Sequence, residues 1–402
     1  YAITASYSHV LYGYVVKATE EDPSKLEMKP IFIYKAHSAC TRTLAANNNL
    51  LLSGSDDETI KIYHLDKRRE MGTLLQHEGS VGSIRFIHSP NKKKPCKWAL
   101  SSGEDGKIIL WRIHDWAALL TIPAHKPSHT IHYSPLIAPH PTGKLCLTIG
   151  AMCEVKMWNL MNGRCAYRKN LPKTSRSSPW LFQGQKNAKG REVPVGLEWS
   201  PDGTHYFVLY PSHLVCFNAE SGEKVSQMED EQLLMHATYL SNELLIIAGD
   251  AGQISSFQVT DGKKVRTIHA HKLRIKGLQV VPRAAIHPDR TNEENLSPFV
   301  VSASSDGSVK VWDSSIFEKG DENEEQQIEC ICSVQTKDRT TALAVSYPFN
   351  LSGIKRSLED ESDDESSEEP NDTEEQAVKA KETKKTNRKR KAKKPKVNVT
   401  FE

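Results

Sequence analysis

Along residues 1–346, apolar and polar residues alternate in short runs separated by Gly, Asp, Asn, Ser and Pro. Ser302-Ala-Ser-Ser-Asp-Gly-Ser-Val-Lys-Val-Trp-Asp313 shows the pattern in full: a strand end, a tight Asp306-Gly307 turn, and an alternating strand closed by Trp312. Period-two alternation around an Asp-Gly pair predicts a β-hairpin. Ser53-Gly-Ser-Asp-Asp-Glu-Thr-Ile-Lys-Ile-Tyr63 and Ser101-Ser-Gly-Glu-Asp-Gly-Lys-Ile-Ile-Leu-Trp111 repeat the order, with Ser ten and Asp six positions before the aromatic. Thr148 to Trp158 keeps the spacing, with Met152 in place of the Asp. Tyr63 to Trp111 is a step of 48 residues (111 − 63), and Trp111 to Trp158 one of 47 (158 − 111). A fixed period in that range marks a repeat architecture.

The periodicity places strands near 40–45, 50–54, 59–64 and 71–76 in one repeat, then 81–86, 97–102, 107–113 and 117–122, then 130–138, 145–150, 154–159 and 163–169. A basic, polar excursion follows over 172–191. Two degenerate repeats come next, their third strands ending in Phe217 and Phe257. The last repeat begins at Arg274, carries a polar insertion over 283–297, and has its outer strand at 327–333, where Cys330 and Cys332 point to one face. At the start, 1–7, 9–16 and 30–34 give only three strands, and Thr340-Thr-Ala-Leu-Ala-Val-Ser346 is left over at the end. Pairing that last segment as the innermost strand of the first repeat closes a ring and leaves no open sheet edge. The expected fold is therefore all-β: one seven-bladed β-propeller over 1–346, closed by its C-terminal inner strand, with a tail over 347–402.

Composition changes this picture only in the tail. The net charge of +3 hides two opposed blocks: 359–375 holds eleven acids and no base, and 379–396 holds eleven Lys or Arg and one acid, Glu382. Such a segment cannot bury enough apolar surface to fold, so disorder is expected. Lys384, Lys385, Arg388, Lys389, Arg390, Lys391, Lys393, Lys394 and Lys396 read as a nuclear or nucleolar localisation signal and an RNA-phosphate contact patch. Ser357, Ser362 and Ser366 each have an acid three residues on, as substrates of an acid-directed kinase do, and are candidate phosphosites. Eight scattered cysteines form no CxxC pair, so neither a zinc site nor another cofactor is expected. Reduced thiols and the basic tail argue for a nuclear protein and against secretion. No apolar run reaches the length needed to span a bilayer, so no membrane partner is expected.

Three repeats carry a set that resembles hydrolase chemistry: His37/Ser53/Asp57/Tyr63, His77/Ser101/Asp105/Trp111 and His271/Ser302/Asp306/Trp312. A catalytic triad needs one activated nucleophile in one cleft, whereas these recur around a ring, and no Ser lies on a nucleophile elbow. They are read as structural hydrogen-bond chains in which Asp orients His, His meets Ser and Ser reaches the aromatic. Catalytic residues are expected to be absent.

These hairpins resemble WD repeats across 1–346. More narrowly, the chain is similar to the PAK-interacting WD-repeat proteins. The likeness lies in Ser6-Tyr-Ser-His-Val-Leu-Tyr-Gly-Tyr14, Ala36-His37-Ser38, Leu51-Leu-Ser-Gly-Ser-Asp-Asp-Glu-Thr-Ile60, His77-Glu-Gly-Ser80, Ala138-Pro-His-Pro-Thr-Gly143, Ile268-His-Ala-His271 and the acidic-then-basic tail. The resemblance implies a binding scaffold. Fungal relatives are nucleolar factors of large ribosomal subunit assembly, which implies pre-ribosomal assembly factors and ribosomal-like proteins as partners, with rRNA reached through the tail. It equally implies restraint of a PAK-type kinase. A ubiquitin-ligase receptor fits less well: Trp312 is followed by Asp-Ser-Ser and Trp111 by Arg-Ile-His, neither matching the W-D-x-R pattern of that class. His125, Lys126, His129, Lys272 and Arg274 fall in or beside turns joining outer to inner strands. With Arg176 and Lys186 on the excursion, they form the candidate partner-binding rim.

Overall fold

A computed structural model describes residues 1–19, 25–88, 95–128, 131–171, 186–187, 192–283, 297–318 and 329–347. The first three strands are β1 (Ala2–Ser6), β2 (Val10–Ala18) and β3 (Leu26–Lys35). Blade two is β4 (Thr41–Asn47), β5 (Leu50–Ser55), β6 (Ile60–His64) and β7 (Arg69–Leu74). Blade three is β8 (Val81–Ile87), β9 (Trp98–Gly103), β10 (Lys107–Arg112) and β11 (Ala117–Pro123). Blade four is β12 (Leu136–Pro139), β13 (Leu145–Ile149), β14 (Glu154–Asn159) and β15 (Arg164–Asn170). Blade five is β16 (Gly196–Trp199), β17 (His205–Leu209), β18 (His213–Asn218) and β19 (Lys224–Glu229). Blade six is β20 (Leu234–Tyr239), β21 (Leu244–Gly249), β22 (Gln253–Gln258) and β23 (Lys264–His269). Blade seven is β24 (Ile275–Val281), β25 (Phe299–Ser304), β26 (Ser308–Asp313), the single turn α1 (Ser315–Glu318) and β27 (Cys332–Gln335). The last strand is β28 (Thr340–Val345).

Each sheet has four strands in meander order, except that β28 stands inside β1, giving β28-β1-β2-β3. The two chain ends thus build blade one together, with Ala2 opposite Val345 and Ala5 opposite Ala342. Inner strands meet in the cycle β28, β4, β8, β12, β16, β20, β24 and back to β28. That closure removes the open inner edge and makes the fold a seven-bladed propeller.

Packing follows from the alternation. Two facing sheets must exclude water between them, and seven apolar clusters among the described residues each straddle two neighbouring blades. One joins Leu44 and Leu51 of blade two to Ile3, Leu11 and Ala344 of blade one. Another joins Phe299 and Val311 of blade seven to Tyr12, Tyr14 and Leu343 of blade one. Outer strands instead carry exposed charge, as in Arg69 and Glu70 of β7, which blunts their unpaired edges. Buried Tyr14, placed just after a register shift and opposite Ala2 as Trp111 is opposite Ala99, stands where other blades have Trp, and a Cβ on Gly13 before it would lie 2.2 Å from the Phe32 ring.

Two expectations change. The β2–β3 hairpin extends past 9–16 and 30–34, because pairing runs on beyond the bulge at Gly13/Tyr14 from Tyr14 opposite Pro30 to Ala18 opposite Leu26. Cys330 lies before β27, packed against the cluster between blades six and seven, whereas Cys332 on β27 packs against the one between blades seven and one. They share no face, because the strand starts only at Cys332. All eight cysteines are free. The tail residues 348–402, and with them the localisation patch from Lys384 to Lys396 and the phosphosites Ser357, Ser362 and Ser366, lie outside the described residues.

Candidate functional site: the entry face of the ring

Inner strands all start on one end of the ring, the entry face, because each is reached from the outer strand of the blade before. The turns between second and third strands lie on the same face. Here the His-Ser-Asp sets tie each entry loop to its own blade. In blade three, His77 Nδ1 lies 3.2 Å from Asp105 Oδ2, Nε2 lies 2.8 Å from Ser101 Oγ, and the Trp111 indole N–H donates to the same Oγ at 2.8 Å. Ser101 is wholly buried. A hydroxyl held between an imidazole and an indole, with no solvent path, is a structural link.

The sets in blades two and seven deviate from the expected chain. His37 meets Asp57 at 3.0 Å and Ser53 at 2.7 Å, but the buried Tyr63 hydroxyl has no hydrogen-bond partner among the described residues. The phenol lies beside Ser53 without the hydrogen-bond geometry that the indole N–H achieves in blades three and seven. In blade seven, Asp306 lies 3.9 Å from His271. Ser308 intervenes, its Oγ 2.6 Å from His271 Nδ1 and donating to Asp306. His271 Nε2 then meets Ser302 at 2.7 Å, and the Trp312 N–H donates to Ser302 at 2.9 Å. Burial acts to raise the Asp306 pKa, but Ser308 and the Lys272 amide outweigh it and hold the carboxyl low.

A fourth set was missed. His125, read above as part of the binding rim, is 8% exposed, with Nε2 2.9 Å from Thr148 Oγ1. The Trp158 N–H donates to that same oxygen at 3.0 Å. Threonine replaces serine, and Glu154, 4.0 Å from Nδ1, stands in for the aspartate rather than Met152. The equal spacing of Thr148 and Trp158 was the available signal. Buried Lys156 completes the set by donating to Ala124 O at 2.6 Å, as Lys310 does to Ala270 O at 2.7 Å in blade seven. In blade six, which lacks such a set, Asp230 accepts from Ser255 at 2.6 Å and Lys264 at 2.8 Å.

An Asp306→Ala chain is expected to lose about 1–3 kcal/mol, because three donors lose their acceptor. Thermal unfolding by circular dichroism checks this, and a melting point equal to the parent's would refute the structural role.

Of the expected basic rim, His125 belongs instead to a buried link, and His129 and Arg176 lie outside the described residues. Lys126, Lys272 and Arg274 are exposed on entry loops. Lys186 is half-buried and bridges Glu192. What the structure gathers instead is a cluster at the mouth of the axis. Register slips at Thr41/Thr43, Ile275/Gly277 and Ala5/Ser6 make Arg42, Lys276 and Thr341 bulged residues on three consecutive inner strands. A bulge re-aims side chains at the end of a strand. Arg274 and Arg339 stand just before β24 and β28. Close approach fixes the arc: a Cβ on Gly277 would lie 2.3 Å from that of Leu343, and Thr341 Oγ1 donates to Thr41 O at 3.0 Å.

The electrostatics follow from crowding. Burial lowers the Lys276 pKa, and Arg274, Arg339 and Arg42 lower it further. Arg42 alone has a carboxylate at hydrogen-bond distance, Asp56 at 2.7 Å. Arg339 lies over the Tyr7 ring at 5.6 Å. Along the axis, exposed Arg85 of β8 lies in the field of Glu198, and desolvation of the half-buried Glu198 pushes its carboxyl up to about 7. These inner-strand charges escaped the sequence reading because a lone cation in an alternating strand reads as solvated surface. Around the mouth the entry face exposes large apolar side chains: Leu75 is 73% exposed, Tyr7 50%, Leu273 49% and Met152 41%. Among the described residues no group of three or more His, Cys, Asp or Glu could hold a metal ion.

The WD domain, G-beta repeat pattern matches residues 28–64, 68–112 and 262–313. The chain is 28% identical to the p21-activated protein kinase-interacting protein 1-like of Xenopus laevis, aligned over 88% of this chain and 84% of that protein. It is 27% identical to Protein MAK11 of Saccharomyces cerevisiae, over 79% and 78%, and 25% identical to Shk1 kinase-binding protein 15 of Schizosaccharomyces pombe, over 77% and 76%.

Proposed function

Because the chain is a WD-repeat β-propeller similar over most of its length to the p21-activated protein kinase-interacting proteins and MAK11, we propose that it is a non-catalytic scaffold in nucleolar assembly of the large ribosomal subunit. The observation that carries the binding role is the entry face. Its nucleophile-like serines are buried in structural links, while exposed Leu, Tyr and Met side chains share the face with cations of which only Arg42 has a carboxylate at hydrogen-bond distance, the mixture typical of protein interfaces. The nucleolar assignment draws support from the family resemblance and from the basic tail. Its partners are then pre-ribosomal assembly factors and ribosomal-like proteins, with rRNA phosphates met by the tail through salt-sensitive contacts.

A second reading is a regulator that binds a PAK-type kinase, favoured by relatives whose names record binding to a p21-activated kinase or Shk1. Affinity purification of the tagged full chain separates the two. Recovery of large-subunit precursors with assembly factors supports the first, and a kinase with little ribosomal material supports the second. Deleting 352–402 is expected to abolish nucleolar enrichment while the propeller stays folded. Unchanged nucleolar staining would count against a role for the tail in localisation.

A further inference from the structure

We propose that the mouth of the axis at blades seven, one and two is a recognition site for a phosphoryl group carried on a serine or threonine of a partner protein. The proposal rests on the scaffold reading only in taking the ligand to be a protein. Lys276, Arg274 and Arg339 converge with Arg42 on one arc. Among the described residues, neither Lys276 nor the Arg274 side chain has a hydrogen-bonding or ionic partner, and Arg339 faces only the Tyr7 ring. Four cations held together with a single paired carboxylate, Asp56 on Arg42, repel one another, and an anion that binds among the other three relieves that repulsion. A phosphoryl group fits better than a single carboxylate. It brings close to two negative charges and three acceptor oxygens to a site with several cations, and guanidinium forks pair with it through two parallel bonds.

The arrangement favours a peptide over a nucleic acid. Nucleic-acid backbones call for a track of cations, whereas these gather around Lys276. Carboxylates interrupt the rim on either side: Asp56 is held by Arg42, Glu104 faces His132, and Asp338 accepts from Tyr12 at 2.6 Å. Those charges repel a polyanion but tolerate a single inserted phosphate. Exposed Leu273 and Tyr7 flank the arc and offer apolar contact to residues on either side of the phosphorylated one.

The test uses the full chain and fluorescently labelled mixtures of short peptides with a central phosphoserine, a central serine, or a central glutamate. Fluorescence anisotropy is expected to show at least about tenfold tighter binding of the phosphoserine mixture than of either other, a difference within reach of one or two charge-assisted bonds. Lys276→Gln and Arg274→Gln are each expected to remove about tenfold of that preference. Because Lys276→Gln relieves repulsion, it should melt no lower than the parent, so lost binding cannot be put down to unfolding. The basic tail is present in every chain, so the difference reports the mouth. Equal binding of phosphorylated and unphosphorylated mixtures would overturn the proposal. So would a single-stranded RNA oligonucleotide that binds as tightly as the phosphopeptides and is lost with Lys276→Gln. If the phosphate preference is absent but the full chain still recovers assembly factors, the scaffold reading survives and only this site fails.

Discussion

A chain ending at Arg339 is expected to lose its cooperative melting transition and to aggregate, whereas a chain ending at Tyr347 should melt like the full protein. The difference is β28. Its removal strips β1 of five paired positions, from Ala2–Val345 to Ser6–Thr340, and bares an inner edge in the middle of the ring. Buried Leu343 and Ala344 leave the clusters on both flanks of blade one, and Ser346 N no longer donates to Tyr1 O at 2.8 Å. Loss of one buried leucine side chain alone costs about 2–5 kcal/mol, against a total stability of about 5–15 kcal/mol for a typical domain. An unpaired inner edge also offers a template for association between chains. Calorimetry with light scattering on the two truncations decides the matter. A chain ending at Arg339 that melts within a few degrees of the parent would show that the ring holds without its closing strand.

The second large effect is a loss of stability in mild acid. Burial holds the His125 pKa down to about 3, aided by Lys156 and Arg168. The neighbouring Glu154 cannot raise it much, being already paired with Lys156 at 3.1 Å and Arg168 at 2.7 Å. Burial likewise lowers His213 to about 4 against the field of Glu229. At the axis, burial, Lys276 and Arg85 lower His236 to about 4. His271 is also lowered by burial, despite Asp306. These imidazoles are neutral when folded and titrate near 6.5 when unfolded. Between about pH 6.5 and 4 these four imidazoles bind more protons in the unfolded chain, outweighing the raised carboxyls Glu198 and Glu192, which bind more when folded, so stability falls as pH falls. Each such histidine contributes at most about 1.4 kcal/mol per pH unit, and four acting together can exhaust a domain's stability. The low-titrating carboxylates Asp57, Asp105 and Asp306 contribute only below their unfolded values near 4. Melting points measured from pH 7 to 4.5 should drop steeply. His125→Gln, which keeps a neutral hydrogen-bonding side chain, should flatten the slope, and a flat profile in the parent would contradict the account.

Blade count, hairpin positions and the closing strand were legible because each rests on local patterning: alternation, Asp-Gly turns and an unpaired segment at the end. Gly307, at φ 83°, and Gly106, at φ 74°, take the left-handed conformation those turns require, while Glu58 adopts φ 67° in blade two without being glycine. Side-chain partnerships were less legible. The blade-four set disguised itself by using Thr148 and Glu154, which keep the hydrogen-bonding capacity of Ser and Asp but not their letters. Ser308 entered the blade-seven chain because a small hydroxyl follows the turn and comes between Asp306 and His271. The mouth was invisible for a different reason. Its members come from positions some 230 residues apart (Arg42 and Lys276, 276 − 42 = 234), and only the bulges decide which inner-strand residues turn toward the axis.

Construction of blade one from both ends of the propeller has a consequence for synthesis. While the protein is being made, β1, β2 and β3 emerge well before β28 and must wait, their inner edge unsatisfied, until that strand has left the ribosome. The same late strand brings Thr341, and the residue before it Arg339, to meet Arg42 and Lys276. A nascent chain therefore has no mouth, and neither does a chain whose ring has failed to close. Any partner that docks there engages only finished molecules, so recruitment into an assembly doubles as inspection of folding.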